Sequence, residues 1–324
     1  MILTIDVENR ILLRKTFPSL LSLALAFTLW HCQSDENPSA PKPDVNLDAK
    51  PSGAIQIILR EDSKTASFLG KIYDGPQPGN TIWEEQLSSG CLKVVKPRIP
   101  FCANPCGSGS ACVADDSCQA YPSAINAGAF LISGLITNKG AAPFSITPLN
   151  NLYQAVGLVY PPFREGDTVS ISAAGSESSP PFVLKALGLS PLKPLTDTVL
   201  AYADGKPIDL KWEAPAKDIH SVMDVVIDLT FHGGTKAKIE GRCEDNGTLS
   251  IPANLLDKLK TFGISGYPRL NMTRITKGID ANAKTELSIE STVSLALDVP
   301  GLVSCNKAED CPDNRACLAD RRCE

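Results

Sequence analysis

The chain has 324 residues, of which 43% are hydrophobic and only 6% are aromatic, so Val, Ile, Leu and Ala must supply most of any core. This length suits about two ordinary domains, or one large β domain with appendages. The net charge is −5 at pH 7 and no Lys/Arg stripe runs along the chain, which excludes a nucleic-acid-binding surface.

Residues 1–31 have the pattern of a signal peptide. The basic residues Arg10, Arg14 and Lys15 precede an apolar run over residues 17–30. This run is too short for a helix that spans a bilayer, which needs about 20 residues. A buried helix of the fold is the competing interpretation, but a basic segment before the run and a polar segment after it argue against that. We therefore predict an exported protein.

Cys32 directly follows the apolar run. The four residues that end at Cys32 (LWHC) resemble the lipobox of bacterial lipoproteins, in which the cysteine thiol accepts a diacylglyceryl group and becomes the new N-terminus. Cleavage after Ala26, in a small-x-small motif, is the alternative and would give a secreted protein. Residues 32–53 are predicted to be the lipidated cysteine and a disordered spacer, because a segment rich in Pro, Ser, Asp and Lys cannot bury enough surface to fold.

Strand signals begin directly after the spacer. Ile55, Ile57 and Leu59 alternate with other residues, which is the pattern of a strand with one buried face. Residues 54–101 are therefore predicted to be an N-terminal β segment.

The cysteines lie mainly in two short blocks. Of the 11 cysteines, lipidation of Cys32 would leave ten, which can all pair outside the cytoplasm. The second halves of the blocks align (CGSGSACVADDSC and CPDNRACLADRRC), which indicates a repeated disulfide-held module at residues 102–120 and 301–324. Four cysteines allow three pairings. We favour first-to-third and second-to-fourth, which predicts the bridges Cys91–Cys243, Cys102–Cys112, Cys106–Cys118, Cys305–Cys317 and Cys311–Cys323.

A metal site is the competing interpretation of these cysteines. Structural zinc sites favour cysteine pairs spaced by two to four residues or histidine partners, whereas most spacings here are five and no histidine lies nearby. The acidic residues in the two blocks do not follow the calcium-loop pattern either; these are Asp115, Asp116, Asp310, Asp313 and Asp320. We predict no metal and no cofactor.

Residues 121–300 are dominated by period-two alternation. Apolar residues predict the buried faces of three strands, at 223–231, 208–212 and 287–299, with shorter candidates at 129–136 and 168–173. Asn246-Gly247 predicts a tight hairpin turn between two short strands. Many short strands with frequent turns favour an antiparallel β-sandwich of the immunoglobulin or fibronectin-III type, with the two cysteine modules attached.

One helix interrupts the strand pattern. Leu255, Leu256, Leu259 and Phe262 form an apolar stripe at helical spacing. Ser250 is expected to cap this helix, with Pro252 in its first turn, and Gly263 is expected to end it.

Three segments carry a resemblance to a known group of proteins. These are CANPCGSGSACVADDSCQAY from Cys102, DLKWEAP from Asp209, and CEDNG from Cys243 leading into Ile251-Pro252. They resemble uncharacterised envelope lipoproteins of myxobacteria and related bacteria. The Leu-x-Trp-x-x-Pro element is also similar to strands of fibronectin type III and other immunoglobulin-like domains. The resemblance implies an envelope location and a β fold, and it brings no catalytic residue.

Residues with catalytic potential do not form a recognisable motif. His220, Asp224, Asp228 and His232 share one parity, but residues four apart in a strand are about 13 Å apart, too far to hold one metal. We expect this face to point to solvent. No nucleophile elbow, phosphate loop or dinucleotide fingerprint is present. Paired carboxylates of a hydrolase depend on three-dimensional spacing, so they stay open at this stage.

The sequence predicts a non-enzymatic envelope lipoprotein that presents a β-sandwich surface for binding or scaffolding. Its expected partners are the membrane, through the lipid on Cys32, and an envelope protein or polysaccharide. The alternatives are an extracytoplasmic hydrolase that uses carboxylates, and a secreted protein of eukaryotic type that carries glycosylation in place of the lipid.

Overall fold

A computed structural model describes residues 51–324 except positions 217, 281 and 283. The predicted signal peptide and Cys32 lie outside the described residues. The described part contains one α-helix, α1 (Ala253–Lys260), and short 3-10 turns at Ala308–Asp310 and Pro312–Asn314. The strands are β1 (Gly53–Arg60), β2 (Thr65–Tyr73), β3 (Ile82–Ser89), β4 (Leu92–Arg98), β5 (Ser110–Ala114), β6 (Ser117–Ala120), β7 (Ala124–Ile125), β8 (Phe130–Ser133), β9 (Phe144–Ile146), β10 (Leu152–Ala155), β11 (Thr168–Ala173), β12 (Phe182–Leu187), β13 (Val199–Ala201), β14 (Ile208–Lys211), β15 (Val222–Asp228), β16 (Lys238–Glu244), β17 (Thr248–Ile251), β18 (Arg269–Asp280) and β19 (Thr285–Asp298).

The predicted mainly β class is confirmed. An 11-stranded sheet has the order β10-β2-β1-β19-β18-β15-β16-β4-β3, with β7 paired to β2 and β13 paired to β19. This sheet is mixed rather than purely antiparallel, because β1 and β13 both run parallel to β19. Alternation along a strand reports which face is buried but not the direction of the neighbour, so the parallel pairs carry no signature in the sequence.

A second sheet covers one half of the large sheet. It has four strands in the order β12-β11-β8-β9. Side chains of both sheets form one hydrophobic cluster that includes Ile55, Ile57, Ile132 and Ile171, all fully buried. The rings of Phe130 in β8 and Tyr153 in β10 stack in this cluster with centroids 3.6 Å apart.

The other half of the large sheet is covered by the β14–β17 pair and by α1. Met223, Val225 and Ile227 of β15 pack there against the helix side chains and against Trp212, which is 2% exposed. The two hydrophobic clusters explain why the alternating faces predicted for β1, β14, β15 and β19 are buried: each points toward a covering layer.

The helix forms where predicted, but its start differs. Pro252 is the N-cap residue, and no side chain caps the first turn. Ser250 lies in β17 instead of capping the helix, so that prediction is wrong. Leu255, Leu256 and Leu259 are buried, as the helical spacing indicates.

The predicted hairpin at Asn246-Gly247 is also wrong. β16 pairs with β15 and β4 in the large sheet, whereas β17 pairs with β14 in a separate two-stranded sheet. The Asn-Gly turn therefore moves the chain from one sheet to another. Its residues suit a tight turn, but the partner of each strand is decided by long-range packing.

The structure contains five disulfides, between the same five cysteine pairs that the sequence analysis favours. Cys91–Cys243 joins the turn between β3 and β4 to β16, next to the β16–β4 pairing. The first module (residues 102–120) contains the β5–β6 hairpin, and the second module (residues 301–324) contains the two 3-10 turns. Five disulfides indicate an extracytoplasmic location. Over the described ranges, no helix is long and apolar enough to cross a membrane.

Candidate ligand-binding groove

A groove lies where the edges of the two main sheets meet. β9 is the edge strand of the four-stranded sheet, and β10 is the edge strand of the large sheet. Residues of both strands, together with the turn at 137–139 and residues 156–157, line a cavity of about 710 Å³. This is within the size range of cavities that bind ligands. We call it the edge groove.

The lining of the edge groove combines polar and apolar side chains. Hydroxyl and amide groups come from Thr137, Asn138, Ser145, Thr147 and Gln154, and one ammonium group comes from Lys139. Apolar surface comes from the neighbouring β-strand residues and from Val156, whose side chain is 85% exposed. No carboxylate is among the described lining residues. This lining carries one positive charge and suits a ligand with hydrogen-bonding groups and some apolar surface.

The strands that flank the edge groove have hydrogen-bonding capacity to spare. β9 pairs with β8, and β10 pairs with β2; within the described part of the chain, neither has a second partner strand. The first residue of β10, Leu152, exchanges backbone hydrogen bonds with Leu149, so the later residues of β10 form its open edge. A strand at the edge of a sheet presents a row of unpaired N–H and C=O groups. The groove therefore offers backbone donors and acceptors as well as side chains.

Local hydrogen bonds hold the walls of the groove in place. Thr137 and Gly140 bond to each other through both backbone groups at 2.9 Å, and Thr137 Oγ1 accepts from the backbone of Lys139 at 3.1 Å. Gly157, with φ of +75°, lies against Asn138, and an added Cβ there would be 3.0 Å from Asn138 Oδ1. The positive φ at this position explains why glycine is favoured there.

A second, smaller cavity of about 280 Å³ holds two carboxylates on the open face of the large sheet. Asp224 opposes Arg242 in the β15–β16 register, and Glu240 lies two residues from Arg242, so the two acids are diagonal neighbours. The Cα atoms of such neighbours are about 7–8 Å apart. Both oxygens of Asp224 accept from Arg242, each at 2.7 Å, and the Asp224 carboxylate raises the pKa of the Arg242 guanidinium. Glu240 pairs with Lys238 at 2.8 Å.

A buried polar cluster lies under the β14–β17 pair. The Asp245 carboxylate accepts from Arg274 through two nitrogens at 2.6 and 3.2 Å, from Trp212 Nε1 at 2.6 Å and from Ser221 Oγ at 2.6 Å. The side chains of Arg274 and Asp245 are 0% and 1% exposed. Arg274 also donates to the carbonyl oxygens of Ser190 and Glu213. With the N–H and O–H donors of Arg274, Trp212 and Ser221 all occupied, this cluster serves to hold segments together.

Asp245 also lies near a serine and a histidine, the residue types of a Ser-His-Asp catalytic triad. His220, Ser221 and Asp245 line a third cavity, of about 480 Å³. Ser221 Oγ bonds to Asp245 and, among the contacts of the described residues, not to His220. A serine nucleophile needs a neighbouring base that can take its proton. Asp245 already accepts four hydrogen bonds and neutralises Arg274, so it is poorly suited to that task.

The set His220, Asp224, Asp228 and His232 does not form a site. Both histidines are exposed, and Asp224 pairs with Arg242. The expectation of a solvent-facing side chain is wrong for Asp228, which is 7% exposed. Its carboxylate accepts from the backbone and hydroxyl of Thr230 and from Thr235 Oγ1, at 2.7 to 2.9 Å. Asp228 ends β15, and the turn that follows folds these donors over it.

Sequence reasoning missed the edge groove and the Asp245–Arg274 pair. The groove segments 137–140 and 156–157 contain Asn and Gly, which indicate turns but not which turns come together. Asp245 lies in one of the segments that carry the resemblance, and Trp212 lies in another. This shared membership was the one signal in the sequence that pointed to both residues. No protein-family model and no curated protein matches this chain.

Proposed function

We propose that this protein is a non-enzymatic component of the bacterial envelope that binds an extended segment of another envelope protein in the edge groove. The groove carries this proposal because it lies between two strand edges, and in the described part of the chain neither edge has a second partner strand. Addition of a strand to a sheet edge is a common mode of peptide recognition, in which backbone hydrogen bonds give affinity and side-chain pockets give specificity. The five disulfides support action outside the cytoplasm.

The groove lining supports a peptide more than a polysaccharide. Binding sites for sugars on β-sheets gain much of their affinity from stacked aromatic rings and from carboxylates. Phe144 is the one aromatic residue among the lining residues described here, and it is partly buried against the hydrophobic cluster. Val156, in contrast, is an exposed apolar side chain at the rim, where it can contact an apolar side chain of a bound segment.

Anchoring through a lipid on Cys32 is part of the same proposal. It rests on the apolar run before Cys32, on the polar spacer after it, and on the ten remaining cysteines, all of which are paired in the structure. A tether of this kind would keep the groove near envelope partners. The secreted alternative changes the location but not the groove.

Site-specific photo-crosslinking tests the groove. A photoreactive amino acid replaces Val156 in full-length protein within intact envelopes, and a second variant carries it at Val199, which is 55% exposed and outside the groove. Crosslinked peptides are identified by mass spectrometry, and a synthetic peptide with the crosslinked sequence is then titrated against purified protein by fluorescence polarisation. We expect crosslinks that are specific to position 156 and a saturable titration.

Matched substitutions give the control. Val156→Asp should weaken binding of that peptide by about tenfold or more, because a charge would be buried against an apolar side chain. Val199→Asp should leave binding unchanged. Equal effects of the two substitutions, or saturable binding of purified envelope polysaccharide that Val156→Asp abolishes, would overturn the peptide proposal.

A carboxylate hydrolase is a second candidate, favoured by one observation. Asp224 and Glu240 are diagonal neighbours that line one cavity, and a pair of carboxyl groups in one site is what glycosidases use. Their ion pairs with Arg242 and Lys238 argue against it, because a catalytic acid must hold a proton. Hydrolysis of purified peptidoglycan or envelope glycans that is lost in both Asp224→Asn and Glu240→Gln would establish this candidate. Absence of turnover in the wild-type protein would exclude it for those substrates.

We also propose that the layered part of residues 121–300 is related to immunoglobulin-like sandwiches. The shared cluster between the four-stranded sheet and the large sheet supports two-layer packing. The large sheet alone has 11 strands, whereas a whole immunoglobulin-like domain has seven to nine, and its β1–β19 pair is parallel. The likeness therefore concerns the packing of two layers rather than the strand order. An experimental structure superposed on immunoglobulin domains tests this relation; alignment of fewer strands than one complete sheet would contradict it.

A further inference from the structure

Two disulfides of the first module lie in direct contact. The Sγ atoms of Cys102 and Cys106 belong to different bridges, yet they are 3.8 Å apart. The Sγ atoms of Cys102, Cys106 and Cys118 all lie within 4.8 Å of one another. A thiolate formed at Cys106 would therefore touch the sulfur of the neighbouring bridge, and such contact is the first requirement of thiol–disulfide exchange.

The first module is also open to an incoming thiol. Cys118 is exposed, and Cys102, Cys106 and Cys112 are partly exposed. In the second module the corresponding bridges are more protected, since Cys305 is 1% exposed and Cys311 is 8% exposed. Access of the attacking thiol and the thiolate character of the sulfur control the rate of exchange. The two modules therefore share a pairing pattern but differ in the exposure of their sulfurs.

An alternative pairing is available in the first module. Cys112 and Cys118 are direct cross-strand partners in the β5–β6 hairpin. The Cβ atoms of such partners are about 4.5–5.5 Å apart, close to the 3.5–4.5 Å of a disulfide. Cys102 and Cys106 already have their sulfurs in contact. The four cysteines can thus form Cys102–Cys106 together with Cys112–Cys118.

We propose that the first module is a thiol–disulfide exchange site at which a low-molecular-weight thiol, entering at Cys118, converts the native pairs into Cys102–Cys106 and Cys112–Cys118. This inference does not depend on the edge groove. It adds a reactive site whose reaction partner is a small thiol of the glutathione type.

The exchange consists of three displacements. The external thiolate bonds to Cys118 Sγ, the Cys106–Cys118 bond breaks, and the electron pair leaves on Cys106. The Cys106 thiolate then bonds to Cys102 Sγ, and the Cys102–Cys112 bond breaks with its electron pair on Cys112. Finally, the Cys112 thiolate bonds to Cys118 Sγ and releases the external thiolate. The sum is an isomerisation without net oxidation or reduction, so the thiol acts as a catalyst.

The new pairing changes what the bridges connect. Both native bridges join the segment that contains Cys102 and Cys106 to the β5–β6 hairpin. In the isomer each bridge stays within one of these two parts. The hairpin would then hold the segment only through contacts such as Ala103 N–H to Asp116 Oδ1, at 2.9 Å. Phe101, which is 72% exposed, lies at the start of the released segment.

Disulfide mapping of the wild-type protein tests the proposal. The folded full-length protein is incubated with substoichiometric reduced glutathione at mildly alkaline pH and quenched with acid and N-ethylmaleimide, and the linked peptides are sequenced by electron-transfer dissociation. We expect the Cys102–Cys106 and Cys112–Cys118 pairs to accumulate while glutathione is recovered. Native pairs only, a mixed disulfide that stays at Cys118, or reduction without the new pairs would overturn the proposal.

A trapping variant isolates the internal step. In Cys118→Ser the Cys106 thiol is left beside the Cys102–Cys112 bridge, and we expect alkylation at Cys112 because the bridge has moved. Label found only at Cys106 would contradict the internal transfer. Cys323→Ser is the matched control in the second module, where burial disfavours the Cys311 thiolate and transfer should be about tenfold slower. Equal rates in the two modules would overturn the assignment to the first module.

Discussion

Trp212 donates its indole N–H to Asp245 Oδ1 at 2.6 Å, and this bond joins the end of β14 to the segment that follows β16. The same carboxylate neutralises Arg274 of β18. One aspartate thus connects the covering layer of the core to the large sheet. Because its partners come from distant parts of the chain, the bond reports on the assembled fold and not on a local motif.

Asp245→Ala should be strongly destabilising. Removal of one partner leaves the buried Arg274 charge uncompensated, which costs about 3–5 kcal/mol. Urea unfolding followed by tryptophan fluorescence measures this. Asp224→Ala, which breaks the more exposed pair with Arg242, is the control and should cost about 1 kcal/mol or less. Similar losses in the two variants would contradict a supporting role for Asp245.

Gly266→Ala should loosen the second module. A Cβ at Gly266 would lie 2.0 Å from the carbonyl oxygen of Phe231, and the Gly266 N–H donates to the Asp320 carbonyl at 2.8 Å. Gly205→Ala is a matched control, because Gly205 has a similar φ (+67° against +63°) but open space around it. Both variants carry backbone strain, and overpacking should add about 1–3 kcal/mol in Gly266→Ala alone.

Two measurements check the glycine prediction. Urea denaturation gives the difference in the free energy of unfolding between the two variants. Limited proteolysis followed by mass spectrometry reports cleavage within residues 301–324, which we expect to be faster in Gly266→Ala. If the two variants unfold and are cleaved alike, the close contact with Phe231 does not hold the second module.

Stability should fall as the pH rises from about 10 to 12. Burial, with the nearby charges of Asp204 and Asp257, raises the pKa of Tyr202 to about 12, and burial also raises the pKa of Tyr153. An unfolded tyrosine loses its proton near pH 10, so above that pH the folded state binds more protons than the unfolded state. The stability present below pH 10 is therefore lost progressively as the pH approaches 12.

Tyr202→Phe should reduce this alkaline loss. Urea midpoints at pH 8 and pH 11 measure it, with tyrosinate absorbance as the titration signal. Tyr121→Phe is the control, because Tyr121 is 54% exposed. If Tyr202→Phe and wild-type protein lose the same stability between the two pH values, buried Tyr202 does not cause the effect.

Cys32→Ser should release the protein from the membrane. The lipid on Cys32 is the proposed anchor, so wild-type protein should partition into detergent and carry the mass of three acyl chains on residue 32. The variant should stay in the aqueous phase. Wild-type protein that is water-soluble and begins at Phe27 would contradict anchoring and favour secretion.

Sequence patterns predicted the buried face of a strand more successfully than they predicted its partner strand in the sheet. The alternation of Ile55, Ile57 and Leu59 is enough to show a buried face, because successive strand residues point to opposite sides. The partner of that strand is β19, which no local pattern indicates. The disulfide pairs could be predicted from the sequence because the repeated module and the even number of remaining cysteines limited the pairings to consider. Asp228 is buried although its position in the alternation predicts exposure, because the turn that follows β15 donates three hydrogen bonds to its carboxylate.

The edge groove was harder to predict from the sequence, because it also depends on which strands become neighbours. Thr137 and Gln154 line one groove because two sheet edges meet, and edges are a property of the assembled sheets. The Asp245–Arg274 pair likewise required the positions of β16 and β18. Side chains that act through contacts between distant segments leave no spacing rule in a single sequence.

The parallel pairing of β1 with β19 has a consequence for the order in which the chain can fold. Gln56 of β1 bonds to Glu290 of β19, 234 positions later in the chain. A chain that is exported from its N-terminus therefore brings β1 across the membrane long before the strand that completes its sheet. Contacts of such long range slow folding. Until β19 is available, the edge of β1 that pairs with it stays without a partner strand.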